Sequence, residues 1–250
     1  MLSSSAWRRL NCRYNKFMEE LSIVQRIAIW VLPILFAITV HEVAHGWMAL
    51  RLGDHTAQMM GRLTLNPINH IDPIGTLVVP GVLLLLGGVV FGWAKPVPVS
   101  WDKLRNPQRD MAIVALAGPM ANLIMAVFWA VVCRLGIALA LEFPMMGVPL
   151  AYMGIAGMLI NAILMMLNLI PLPPLDGGRV LVGILPGPLA YKVSRIEPYG
   201  LFILLGLLFT GILQGILGPL VDLLLSGLVE LVGVPKREFV GGLLTLMGAQ

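Results

Sequence analysis

Residues 27–45 read IAIWVLPILFAITVHEVAH, an apolar run that ends on His41, Glu42 and His45. Residues 27–40 carry no charge. Two histidines and a glutamate then follow at the depth where ionisable groups are most costly in a bilayer. On a helix His41 and His45 share one face, one turn apart. Both imidazoles can therefore reach a single Zn²⁺, and Glu42 sits beside that metal to take a proton from water. The bland alternative is a pair of satisfied histidines at a helix terminus. With only 4 histidines in 250 residues, and with intramembrane ionisable clusters functional by default, the stretch is read as a metal site.

The composition sets the solvent. The chain is 58% hydrophobic and 12% charged, with a mean hydropathy of +0.88. A soluble domain carries about 25% charged residues. This chain therefore reads as a multi-pass protein of the cell membrane, with the lipid bilayer as its surroundings. Its 17 Lys and Arg lie between the apolar runs, as expected of loops at lipid headgroups. No basic stripe interleaved with aromatics points to nucleic acid. Cys12 and Cys133 are far apart in sequence, which argues against a disulfide framework and a thiolate metal site. Nothing in the sequence reports oligomeric state.

The expected fold is an all-α polytopic bundle of about five to six membrane segments. Residues 1–22 form a polar tail in this reading, 23–217 the membrane core, and 218–250 a C-terminal interfacial or membrane segment and tail. Spans are expected from about Ile23 to Leu52, Met111 to Leu141, Tyr152 to Ile170 and Gly200 to Leu217. The apolar piece 76–91 falls short of the roughly 20 residues of a straight span and contains Pro80, Gly81, Gly87 and Gly88. It suits a re-entrant segment, and residues 74–91 are expected to be re-entrant or strand-like, with 74–79 offering a strand edge to an extended substrate. Asp222, Ser226 and Glu230 make a polar stripe that would lay 220–232 along the interface.

A catalytic zinc site needs three protein ligands and an open position. The extended signature with a third histidine six residues on is absent, because Arg51 stands there. By residue type Asp54, Asp72, Glu142 and Asp176 are all candidates. Asp176 is the best physical choice, because it follows an apolar run as the histidines do, and Gly177 and Gly178 let the backbone come close to a metal. A turn cap remains the other reading of it.

The pair His41-Glu42-Val43-Ala44-His45 early and Asn168-x-x-Pro171-x-Pro173-x-x-Asp176-Gly177-Gly178 late resembles the site-2 protease family of intramembrane zinc proteases. Ala117-Gly118-Pro119-x-x-Asn122 resembles a further element of that family. Residues 61–75 and Gly92-Trp93-Ala94-Lys95-Pro96-Val97-Pro98-Val99 are similar to its compact bacterial branch, without PDZ or nucleotide-sensing domain. The resemblance covers about residues 27–200. It implies one Zn²⁺ per chain held by His41, His45 and Asp176, Glu42 as catalytic acid and base, and Asn168 as an active-site neighbour. It also implies a single-span membrane protein as substrate.

Asn168 has two readings, as a donor to the tetrahedral oxyanion or as a cap where its helix ends at Pro171. A membrane metal transporter or metal sensor is the alternative function. That reading needs ligands along a pathway, and His55 and His70 fit surface or turn roles better. For the two ligand-bearing spans to share one zinc they must run parallel, which requires 76–91 to dip in and return on the same side.

Overall fold

The computed structural model of the chain describes residues 23–78, 95–234 and 236–246. The expectations for the tail 1–22, for 79–91 and for Gly92-Trp93-Ala94 lie outside these residues. Helix α1 (Ile23–Arg51) is followed by a short α2 (Thr56–Met59) and by single helical turns over Pro67–His70, Pro73–Val78 and Trp101–Lys103. Then come α3 (Pro107–Leu139), α4 (Pro144–Asn168), α5 (Asp176–Ile184), α6 (Gly187–Ser194), α7 (Glu197–Phe209), α8 (Ile212–Leu231) and α9 (Lys236–Leu246). The described residues contain no strand, and the fold is an all-α membrane bundle. Helices at 27–51, 107–139, 144–168 and 212–231 are long and apolar enough to cross a membrane.

One compact unit is built from residues 23–37, 122–167 and 204–246. Here α3 and α4 pack antiparallel through small residues. A Cβ on Gly147 would run into the backbone of Ala140, one on Gly154 into Cys133 and one on Gly157 into the ring of Trp129. Small residues at such a seam let two backbones approach where apolar burial gives no advantage over lipid. Tyr152, Met158, Val221, Leu225 and Phe239 complete this core. Outward-facing Ile124, Phe128 and Leu135 are exposed, as suits a lipid-facing side.

Asn122 and Asn161 lie fully buried in the same unit. The Asn122 amide donates to Asn161 Oδ1 at 2.9 Å and to the Ala37 carbonyl at 3.4 Å. Asn161 in turn donates to the Gly157 carbonyl at 2.8 Å. One polar network thus ties α1, α3 and α4.

The second unit comprises residues 38–121 and 168–203. A small core of Ala49, Leu104 and Val114 holds the end of α1 to the start of α3. Buried Asp54 caps the turn after α1, accepting from the Thr56 amide at 2.9 Å and from the Ser100 amide at 2.7 Å. Burial raises the Asp54 carboxyl, but hydrogen bonds from Thr56 and Ser100 and the charge of Lys103 outweigh it, leaving the group below its ordinary value.

Two expectations are corrected. Residues 73–78 form a helical turn and not a strand edge. The Asp72 carboxylate accepts from the amides of Ile74 at 3.0 Å and Gly75 at 2.7 Å, and such a cap favours a turn over an extended chain. The span expected at 200–217 is broken at Thr210-Gly211, and the helix that begins there runs on to Leu231. Thr210 bonds back to the Gly206 carbonyl through its hydroxyl at 2.8 Å, and Gly211 takes φ +76°, which an L side chain rarely adopts. At 13 residues α7 is about 20 Å long and falls short of the roughly 30 Å hydrocarbon core.

Candidate metal centre

The C-terminal half of α1 carries His41 and His45 on one face. Their ring centroids are 4.6 Å apart, edge to face. Asp176 is the first residue of α5, where an acid is favoured by the helix dipole. It is buried, as is His41. Of the described histidines, cysteines and acids, these three form the one group able to offer ligand atoms to a common ion, all within 4.8 Å of one another.

The geometry suits a tetrahedral cation. Nε2 of His41 and Nε2 of His45 are 3.0 Å apart. Asp176 Oδ2 lies 3.2 Å from the first and 3.3 Å from the second. With bonds of about 2.0–2.1 Å, a tetrahedral metal sets its ligands roughly 3.3 Å apart. The fourth corner belongs to no residue of this group.

The hydrogen bonds around the triangle fit the same reading. His45 Nδ1 lies 2.7 Å from the Val114 carbonyl, which can only accept, so Nδ1 carries the proton. In the neutral ring the lone pair is then on Nε2, aimed at the other two ligand atoms. A histidine that donates its other nitrogen to a carbonyl is the usual posture of a metal ligand. Asp176 Oδ2 is buried and makes no regular hydrogen bond. A buried carboxylate oxygen without a regular hydrogen bond, 3.2 and 3.3 Å from two imidazole nitrogens, suits a cation held between them.

Glu42 points its carboxylate to the segment 95–100, where Oε2 accepts from the Val97 amide at 2.8 Å. Asn168 is the last residue of α4 and half-buried. Asp54 and Asp72 serve as backbone caps, and Glu142 lies exposed in the other unit. His55 is exposed beside Gln58 at 3.3 Å. His70 is buried and donates from Nε2 to the Thr64 carbonyl at 2.9 Å, so its role in the turn comes with full burial.

Sequence reasoning missed three contributors. The Val114 carbonyl and the Val97 amide are backbone groups, which no residue type announces. Gly118 is the third: a Cβ there would overlap His45 Nε2 and His41 Cε1. Its place in Ala117-Gly118-Pro119 was the available signal. Gly177 and Gly178 do permit a close approach, but to the chain itself. Added Cβ atoms would strike the carbonyl of Leu169 and the nitrogen of Pro173. These glycines fold the proline-rich turn tightly against the start of α5 and so deliver Asp176 to the histidines.

The model of peptidase family M50 matches residues 29–143. YwhC of Bacillus subtilis, whose name describes a candidate zinc metalloprotease, is 36% identical over 77% of this chain and 85% of its own length. Rip2 of Mycolicibacterium smegmatis, named in the same way, is 33% identical over 70% of this chain and 64% of its own. Rip2 of Mycobacterium tuberculosis strain H37Rv is 30% identical over 72% and 66%. No solved structure matches. The chain belongs to peptidase family M50, the site-2 protease family, and is a multi-pass membrane metallopeptidase of zinc type.

Proposed function

We propose that the protein hydrolyses peptide bonds within the transmembrane segments of single-span membrane proteins, with Glu42 as the general base. The observation that carries this reading is the convergence of His41 and His45, on an apolar membrane helix, with Asp176. His41, His45 and Asp176 hold one Zn²⁺ in this scheme. When bound, zinc supplies a Lewis acid that lowers the pKa of water and polarises a carbonyl.

The other tasks fall to the chain. Glu42 Oε takes the proton of the attacking water and passes it to the leaving amine nitrogen. Asn168, at the end of α4, donates its amide to the oxygen on which negative charge develops. A helical substrate hides its carbonyls in its own hydrogen bonds, so it must unwind locally before one can react.

The test is Glu42→Gln, which leaves the three ligands in place. The purified variant should retain one zinc per chain while cleavage falls by at least a thousandfold. Crosslinking in cells should then trap the single-span proteins that the native enzyme cuts. Cleavage within tenfold of the native rate removes the assignment of Glu42.

A further inference from the structure

The contact that anchors Glu42 leads back to a cation outside the metal site. We infer that Arg62 is a positioning residue for Glu42, acting through the single peptide unit that joins Pro96 to Val97. This rests on the reading of Glu42 as the base.

The peptide unit is bonded on both sides. Its N–H, on Val97, donates to Glu42 Oε2 at 2.8 Å. Its carbonyl, on Pro96, accepts from Arg62 Nη2 at 3.3 Å. The same Nη2 reaches the Lys95 carbonyl at 3.3 Å, and Nη1 donates to the Asn69 carbonyl. A cation on the oxygen of a peptide polarises its N–H toward a better donor, and hydrogen bonds in such a chain strengthen one another. The guanidinium is therefore coupled to the carboxylate through one rigid planar group.

The sequence around this peptide permits little else. Prolines flank Val97 at 96 and 98, and proline has no N–H. A slip of one residue either way would face Glu42 with a nitrogen that cannot donate. Pro98 also keeps Val97 extended. The segment is pinned at both ends, by the Lys95 amide on the His70 carbonyl at 2.9 Å and by the Ser100 amide on Asp54 at 2.7 Å. On α1, Gly46 lies one turn beyond Glu42 on the same face, and a Cβ there would strike the Val97 side chain at 2.7 Å. Glu42 thus takes the amide of Val97 while Gly46 makes room for its side chain. A fork of donors suits these carbonyls in a way that the point charge of a lysine does not.

The experiment uses the full chain in proteoliposomes, with a quenched-fluorescent peptide carrying a leucine- and alanine-rich transmembrane segment as probe. Arg62→Ala should lower kcat about tenfold to a hundredfold, the usual range for an outer-shell partner. KM should stay within twofold and zinc at one per chain. Arg62→Lys should recover part of the loss. Val97→Pro, which deletes the N–H, should fall at least tenfold below Val97→Ala, which trims the side chain and keeps it. Combining Arg62→Ala with Val97→Pro should be no worse than the poorer single variant, because both act on one bond. Loss of zinc or of helical content in Arg62→Ala, or a change confined to KM, would show a merely structural residue and overturn the inference. So would equal rates for Val97→Pro and Val97→Ala while Glu42→Gln is inactive. Activity in Glu42→Gln itself would instead remove the base assignment, and the inference with it.

Discussion

Two groups of buried polar side chains are treated in opposite ways. In the unit of residues 23–37, 122–167 and 204–246, Asn122 and Asn161 meet donor to acceptor, and each also donates to a helix carbonyl. In the unit of residues 38–121 and 168–203, His41, His45 and Asp176 crowd their Nε2 and Oδ2 atoms 3.0, 3.2 and 3.3 Å apart, with Oδ2 of Asp176 lacking a regular hydrogen bond. An apolar surrounding makes an unsatisfied polar atom costly. The asparagines avoid that cost by complementarity. The candidate metal centre accumulates it, and a cation held there would release it. Burial alone therefore does not mark a functional site; the mismatch among buried neighbours does.

The sharpest way to break this contrast is to remove one corner of the triangle. Asp176→Ala should lose zinc and all measurable cleavage, because two imidazoles on a single helix turn make a poor site without the third ligand. Asp54→Ala, which deletes an equally buried carboxylate, should keep one zinc per chain. It loses a cap and the tether to the Ser100 amide, together worth about 1–3 kcal/mol, but no ligand. Metal analysis of the two purified variants checks both statements. Zinc retained in Asp176→Ala would mean that the mismatch is not a ligand set.

A smaller effect is expected at Gly118, whose missing side chain leaves room for both imidazoles. Gly118→Ala should weaken zinc binding about tenfold to a hundredfold by tilting the rings, as loss of outer-shell support does. It should also cost about 1–3 kcal/mol through overpacking. Competition with a chromogenic chelator measures the affinity. An unchanged affinity would show that the rings have slack and that Gly118 serves only helix packing.

The sequence makes His41, Glu42 and His45 legible because helical spacing and an apolar context are properties of neighbours in the chain. Asp176 is legible only in part: several acids qualified by type, and the motif Asn168 to Gly178 singled it out. What holds these residues in place was hidden, for a physical reason. Val114 reaches His45 across 69 residues and Val97 reaches Glu42 across 55, each with a backbone atom that every residue possesses. The fold shows the same division. The long apolar runs give α1, α3 and α4 to within a turn or two at α1 and α3, and to about two turns at the start of α4. The break at Gly211 and the turn at 73–78 were decided locally, by the left-handed φ of Gly211 beside Thr210 and by two bonds to Asp72, which outweigh an apolar or strand-like pattern.

The mildest prediction tests the satisfied side of the comparison. Asn122→Leu leaves Asn161 Oδ1 without the amide that now serves it at 2.9 Å. An orphaned buried acceptor costs about 1–3 kcal/mol, and unfolding in mixed detergent micelles, followed by helical circular dichroism, should show a loss of that size. Removing both partners is a different matter, because two apolar side chains leave no orphan behind. The double variant Asn122→Leu with Asn161→Leu should therefore be less destabilised than the sum of the two single ones. Both should retain one zinc per chain, since neither residue belongs to the ligand triangle. Strict additivity would mean that the amide pair is not a mutual bond. Loss of zinc in the double variant would mean that the asparagines serve the site after all, and that the contrast between the two regions is false.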